Sequence, residues 1–256
     1  MDDQFIDVGG VNTRYVVKGI CGNALPIFLV HGWGCSLVTV SALIEQLSKS
    51  AQVIAVELPG HGESGLPTGV WGSVEFALFL DRFLEALSIS NCNALGHSVG
   101  GRFLAMLTAN NPKRVNKLIL AGASGVKPKR KFKYYFKVAL AKSGKYAAKY
   151  FGKFGQNLKD RIYGKIASAD YASAGKLRAS FIKIINEDIR EKFPSIKSDT
   201  LLLWGESDLE TPLTSAQVFK SLIPSSQLVI LKNAGHYSFL DQPERFVLET
   251  KKFFRE

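Results

Sequence analysis

Gly96-His97-Ser98-Val99-Gly100 places a serine between two glycines. A serine hydroxyl acts as a nucleophile when it stands clear of the backbone with a base in reach, and a sharp strand-to-helix turn presents it that way. Glycines suit such a turn because a Cβ at either place would crowd the chain. The surroundings agree with this reading. The apolar run Cys92-Asn93-Ala94-Leu95 precedes the motif as a strand, and Val99 to Asn110 follows with helical spacing. The start of that helix would favour negative charge developing beside the serine.

A nucleophilic serine needs a base, and the base needs an acid to orient it, expected in the chain order Ser, Asp, His. The chain has four histidines. His31 and His61 each precede a glycine in early loops, and His97 adjoins the serine itself. These three are expected to be hydrogen-bonded turn or core histidines. His236, in Asn233-Ala234-Gly235-His236 after the apolar run Leu228–Leu231, is expected to be the base. Asp208, in Leu203-Trp204-Gly205-Glu206-Ser207-Asp208, follows a core strand and is expected to be the acid. Glu206 comes two residues earlier in the loop, and Asp241 fits a capping box over Asp241-Gln242-Pro243-Glu244. His31-Gly32-Trp33-Gly34 follows the run Ile27–Val30. A loop there can aim the Trp33 backbone N–H at an oxyanion, with the Val99 N–H as the second donor. Losing one such donor costs roughly 100- to 1000-fold in turnover in a well-studied protease.

These residues need a scaffold that gathers distant loops. Gln4–Val8 and Asn12–Val17 alternate around Gly9-Gly10 and predict a hairpin. Short apolar runs then recur at Ile27–Val30, Val53–Val56, Cys92–Leu95, Leu118–Ala121, Leu201–Trp204 and Leu228–Leu231. Strands apolar on both faces belong in a parallel sheet covered by helices. Helical spacing falls between them at Ser36–Leu47, Ser73–Leu87, Val99–Asn110, Pro212–Leu222 and Pro243–Phe254, with Thr211 expected as the N-cap before Pro212. Repeated strand–helix–strand units make an open α/β sheet with helices on both faces. About 70 residues from Gly125 to Pro194 contain no strand-like run, longer than an ordinary connection. They predict a helical cap inserted over the sheet, dividing the chain into a core of residues 1–124 and 195–256 and a cap of residues 125–194.

Five motifs in order carry a resemblance. They are His31-Gly32-Trp33-Gly34, Leu58-Pro59-Gly60-His61-Gly62-Glu63-Ser64, Gly96–Gly101, Trp204–Asp208 and Gly235-His236. With them the chain resembles the α/β-hydrolase superfamily over essentially its whole length. The His-Gly-Trp-Gly loop and small helical cap resemble the carboxylesterases and pimeloyl-carrier methyl esterases of that superfamily. The resemblance implies the α/β-hydrolase fold and Ser98, Asp208 and His236 as the catalytic set. The expected activity is ester hydrolysis through an acyl-enzyme, with no cofactor and no metal. Carbon–carbon hydrolases and thioesterases keep the same three residues, and an inactive binding fold is the alternative from another class. Enzymes of this fold with an aspartate nucleophile are excluded by Ser98.

Composition narrows the surroundings. The 256 residues carry 33 Lys and Arg against 22 Asp and Glu, a net charge of +11. The charge is localised: Gly125 to Lys197 holds 19 basic and 5 acidic residues, and the remainder is slightly acidic. Lys145, Lys149 and Lys153 repeat at helical spacing beside Tyr146, Tyr150 and Phe154. The stripes fit a solvated face over an apolar cap interior, or a contact for an anionic substrate, an acidic carrier or an anionic surface. No nucleic-acid motif accompanies the charge, so nucleic acid is not expected as a partner. Three scattered cysteines exclude a disulfide framework. The acidic opening Met1-Asp2-Asp3-Gln4, and the lack of any apolar run of membrane-spanning length, predict a cytoplasmic protein without a transmembrane segment. Neutralising Lys145, Lys149 and Lys153 together is expected to leave turnover of small neutral esters nearly unchanged. If turnover of anionic esters is also unaffected at every ionic strength, the solvated-face reading holds.

Overall fold

The computed structural model describes residues 3–20, 22, 24–127 and 175–255. Most of the expected cap, residues 128–174 with the Lys145 and Tyr146 stripes, lies outside the described residues.

The strands are β1 (Asp3–Val8), β2 (Val11–Lys18), β3 (Ile27–Val30), β4 (Val53–Val56), β5 (Cys92–His97), β6 (Val115–Ala121), β7 (Asp199–Gly205) and β8 (Ser226–Leu231). They form one sheet in the order β1-β2-β4-β3-β5-β6-β7-β8. β1 pairs antiparallel with β2, and β2 with β4; all later pairings are parallel. The helices are α1 (Ser41–Ser48), α2 (Ser73–Ala86), α3 (Val99–Asn110), α4 (Arg178–Asn186), α5 (Leu213–Leu222), α6 (Ser238–Asp241) and α7 (Pro243–Arg255). Between β6 and β7 the described residues hold α4 and two short 3₁₀ turns and no strand.

Alternation along the strands explains the layers. Phe28 and Val30 of β3 face a core shared with Phe76 and Phe83 of α2, Phe103 of α3 and Phe219 of α5. Their neighbours Ile27 and Leu29 face a second core with Ile44 and Leu47 of α1 and Phe246 and Phe253 of α7. Both faces are therefore covered, which is why these strands read as unbroken apolar runs. β8 departs from the expectation of a buried run, since Ile230 is 45% exposed. Among the described residues it is an edge strand, with a neighbour on one side only.

The parallel register sets the place of the site. Val30 of β3 pairs with Val56 on one side and Gly96 on the other, and His97 pairs with Ala121. The chain leaves β3 toward β4 and returns to build β5 on the opposite side. Loops leaving β3 and β5 therefore meet at a topological switch point, where open α/β sheets place their ligands.

Two helix starts differ from expectation. α1 begins at Ser41 because Ser36–Val40 forms turns, with the Leu37 N–H donating to the buried Glu57 carboxylate at 3.0 Å. α5 has Pro212 rather than Thr211 at its N-cap, because the Thr211 hydroxyl is used elsewhere.

The Phe76 and Phe103 rings, both fully buried, stack at 4.5 Å and 7° and join α2 to the helix behind Ser98. Phe103→Ala is expected to lower the unfolding free energy by about 3–5 kcal/mol in urea titration.

Candidate active site

Ser98 sits at the β5–α3 junction with φ 53° and ψ −118°. Such a conformation costs about 1–3 kcal/mol for a residue other than glycine and persists only where its surroundings enforce it. Here they do. The Ser98 N–H donates to the Ala121 carbonyl at 3.0 Å, and the Ser98 carbonyl accepts from Arg102 N–H at 3.2 Å and Ser124 N–H at 3.1 Å. A Cβ at Gly100 would lie 2.4 Å from the Val30 carbonyl oxygen, so only glycine lets α3 approach β3 this closely.

The helix behind the turn is anchored by Arg102, which is buried. Its Nε donates to Ser73 Oγ at 2.6 Å and its Nη2 to the Glu187 carbonyl at 2.9 Å. Burial pulls this guanidinium down to about 10, so it remains a cation at neutral pH. Glu187 also accepts from the Ser73 N–H at 2.9 Å. The chain returning after α4 is thus tied to the elbow helix and to the start of α2.

His236 joins the serine from the loop after β8. Its Nδ1 lies 2.9 Å from Asp208 Oδ2 and its Nε2 lies 3.0 Å from Ser98 Oγ. An ionised carboxylate only accepts, so Nδ1 carries the proton and Nε2 is left to accept from the serine hydroxyl. Asp208 Oδ1 accepts the N–H groups of Glu210 at 2.9 Å and Thr211 at 2.8 Å. Burial alone would raise the Asp208 carboxyl. Hydrogen bonds from His236 and Thr211 outweigh it and hold the group below the ordinary carboxylate range.

The other histidines are structural, as expected, and each holds part of the site. His31 donates from Nδ1 to the Gly32 carbonyl at 2.8 Å and accepts the Leu58 N–H at Nε2, 3.1 Å away. His61 Nδ1 faces the Pro59 carbonyl at 3.2 Å. His97 donates from Nε2 to the backbone carbonyl of His236 at 3.0 Å, with the two rings 4.8 Å apart. This leaves His97 Nδ1 as a buried lone pair with no hydrogen-bond partner among the described residues. Burial, with smaller contributions from neighbouring histidines, pulls both His31 and His97 down to about 3, so both are neutral.

The loop after β3 runs directly over the elbow. A Cβ at Gly32 would meet His97 Nδ1 at 2.8 Å and Ser98 Cβ at 3.2 Å, which brings the Gly32–Trp33 peptide alongside the serine. Val99 opens α3, so its N–H has no partner within the helix. The Trp33 ring meets His61 edge-on at 4.9 Å and Phe181 of α4 at 5.0 Å.

Ser98, Asp208 and His236 are therefore brought together, with Trp33 and Val99 beside them. The rival acids are occupied elsewhere. Glu206 accepts the Asn233 N–H at 3.4 Å. Asp241 is the C-terminal residue of α6, and its carboxylate accepts the Gly235 N–H at 2.8 Å. It holds the His236 loop, which corrects its expected role as a cap for α7.

Two residues at the site were missed. The Thr211 hydroxyl lies 2.7 Å from Asp208 Oδ2, 2.9 Å from the Gly122 carbonyl and 3.4 Å from His236 Nδ1. An aspartate followed by a polar Asp-x-x-Thr turn was the available signal. The second is Glu210, whose Oε2 stands 3.4 Å from His236 Nε2. Among the described residues no three His, Cys, Asp or Glu side chains are grouped to hold a metal ion, and no helix is long and apolar enough to cross a membrane.

Comparison with known proteins agrees with this architecture. Residues 26–243 match the family described as alpha/beta hydrolase fold, and the chain belongs to that family. It is a hydrolase of the α/β fold. It is 26% identical over 244 residues to a pimeloyl-[acyl-carrier protein] methyl ester esterase of Aeromonas hydrophila, covering 88% of this chain and 94% of the relative. It is 27% identical over 267 residues to a 2-hydroxy-6-oxo-2,4-heptadienoate hydrolase of Pseudomonas putida, covering 95% and 93%. The crystal structure of a membrane phospholipase A, described as a novel bacterial virulence factor, superposes with a TM-score of 0.79 at 21% identity. That superposition spans 99% of this chain and 86% of the other, and the likeness is one of fold.

The buried neutral histidines make stability depend on pH. Unfolded histidines bind a proton near 6.5, whereas His31 and His97 refuse one in the folded state until about 3. Between those values the unfolded chain holds more protons, so stability falls as pH falls. Urea unfolding at pH 5.5 is expected to show about 1–3 kcal/mol less stability than at pH 7.5. Equal stability at the two pH values would mean that these rings are not held neutral by burial.

Proposed function

We propose that the protein is a serine hydrolase that cleaves carboxylic esters through an acyl-enzyme. The observation that carries the reading is the continuous hydrogen-bonded chain Asp208–His236–Ser98, ending on a serine held in a strained turn.

In the first half-reaction Ser98 Oγ attacks the acyl carbon as its proton passes to His236 Nε2. The imidazolium so formed is stabilised by Asp208 at Nδ1. The carbonyl oxygen becomes an oxyanion, received by the Trp33 and Val99 N–H groups in the gap between the β3 loop and the start of α3. The carbon–oxygen bond to the alcohol then breaks, and the alcohol leaves with the proton from Nε2. In the second half-reaction Nε2 takes a proton from water, whose oxygen attacks the acyl carbon. Collapse releases the carboxylic acid and returns the proton to Ser98. His97 and Thr211 act as positioning residues, one through the His236 carbonyl and the other through the Asp208 carboxylate.

The ester reading is supported by the similarity to a methyl ester esterase. The similarity to the heptadienoate hydrolase favours a second reading, cleavage of a carbon–carbon bond beside a ketone by the same three side chains. For the substrate we favour a small molecule. The net positive charge of residues 125–197 supports an anionic substrate, an acidic carrier or an anionic surface as what that segment meets.

A panel of p-nitrophenyl esters of graded acyl length tests the chemistry. Ser98→Ala is expected to lose at least about 1000-fold in kcat/KM and to escape labelling by a fluorophosphonate that modifies the wild type. Full activity in the variant would overturn the reading. Faster turnover of a 2-hydroxy-6-oxo-dienoate than of any ester at equal concentration would favour the carbon–carbon reading.

A further inference from the structure

Glu210 stands at the one atom of the site that must meet the leaving group. In ester cleavage His236 Nε2 gives its proton to the departing alcohol oxygen, so that oxygen has to lie within hydrogen-bond reach, about 3 Å, of Nε2. Glu210 Oε2 is 3.4 Å from the same nitrogen. Whatever the acyl group, the alcohol therefore departs within a few ångströms of this carboxylate.

Three features make that charge available to the substrate. The Glu210 backbone is fixed by its N–H bond to Asp208 Oδ1, so the side chain projects from the same turn that holds the acid. The side chain is 56% exposed, facing solvent on the side of the imidazole opposite Asp208. Among the described residues no lysine or arginine lies within ion-pair distance of it. The imidazole thus has a carboxylate at each ring nitrogen, Asp208 buried and Glu210 more than half exposed.

We propose that Glu210 determines specificity on the leaving-group side of the site, favouring esters of cationic alcohols and disfavouring those of anionic alcohols. The proposal rests on the ester-hydrolase reading and deepens it by naming the alcohol class. It is compatible with an anionic acyl group, because acyl and alcohol parts extend from the reacting carbon in different directions. Glu210 also faces the imidazolium that forms during reaction. That effect acts on all esters alike and cancels in a ratio of two esters sharing one acyl group.

The test compares butyrylcholine with its neutral isostere, 3,3-dimethylbutyl butyrate, on wild type, Glu210→Gln and Glu210→Lys. At low salt the choline-to-isostere ratio of kcat/KM is expected to fall about 3- to 10-fold in Glu210→Gln and further in Glu210→Lys, given a half-exposed charge a few ångströms away. On the wild-type protein alone, the ratio is expected to decline toward that of Glu210→Gln as salt is raised to about 0.5 M, where screening is strong. A ratio that is the same in all three proteins and insensitive to salt would overturn the proposal while leaving ester hydrolysis standing. If the wild type hydrolyses neither ester, nor any p-nitrophenyl ester, the ester reading fails and this proposal fails with it.

Discussion

The hydrogen bond between Asp208 Oδ2 and His236 Nδ1 organises the site, and it can form only if two loops separated by β8 meet above one edge of the sheet. It assigns the imidazole tautomer, and the tautomer decides that Nε2 can accept from Ser98. The carboxylate must stay ionised in a buried place to do this. Two backbone N–H groups on Oδ1 and the hydroxyl of Thr211 near Oδ2 replace the water it has lost. Asp241 acts on the other partner by gripping the Gly235 N–H, so the loop carrying His236 is held independently of the imidazole.

The serine side obeys a different constraint, strain enforced by close packing. Ser98 adopts a backbone conformation that an isolated chain would avoid, and bonds to β6, its following loop and α3 hold it there. Glycine at 32 and 100 lets the β3 loop and α3 close in around it. His31, His61 and His97 brace the neighbouring loops through backbone carbonyls and N–H groups, and burial keeps His31 and His97 neutral. Imidazole suits this work because one ring offers a donor and an acceptor in fixed directions. Keeping these rings neutral ties the integrity of the site to pH.

The electrostatics are divided. The scaffold is slightly acidic and the segment from Gly125 to Lys197 strongly basic, yet among the described residues the carboxylate of Glu210 stands 3.4 Å from Nε2 of His236.

Much of this was legible in the chain. The runs Ile27–Val30 and Val53–Val56 are the observed strands to the residue, and Val99–Asn110 is the observed helix. Gly-x-Ser-x-Gly, Asp208 and His236 stood out because glycine, a strand end and residue type are local properties. Thr211 and Asp241 read as helix caps for the same reason, since a short polar side chain before a helix usually caps it. Their real partners, the Asp208 carboxylate and the Gly235 N–H, are set by how the loops after β7 and β8 pack. The bond from His97 to the His236 carbonyl spans 139 residues, and no local pattern encodes it. Sequence alone thus determined the elements and singled out Ser98, Asp208 and His236 as candidates, because spacing and residue type govern both. The tertiary structure decided which loops face one another, and with that which carboxylate meets Nδ1 of His236 and which one stands beside its Nε2.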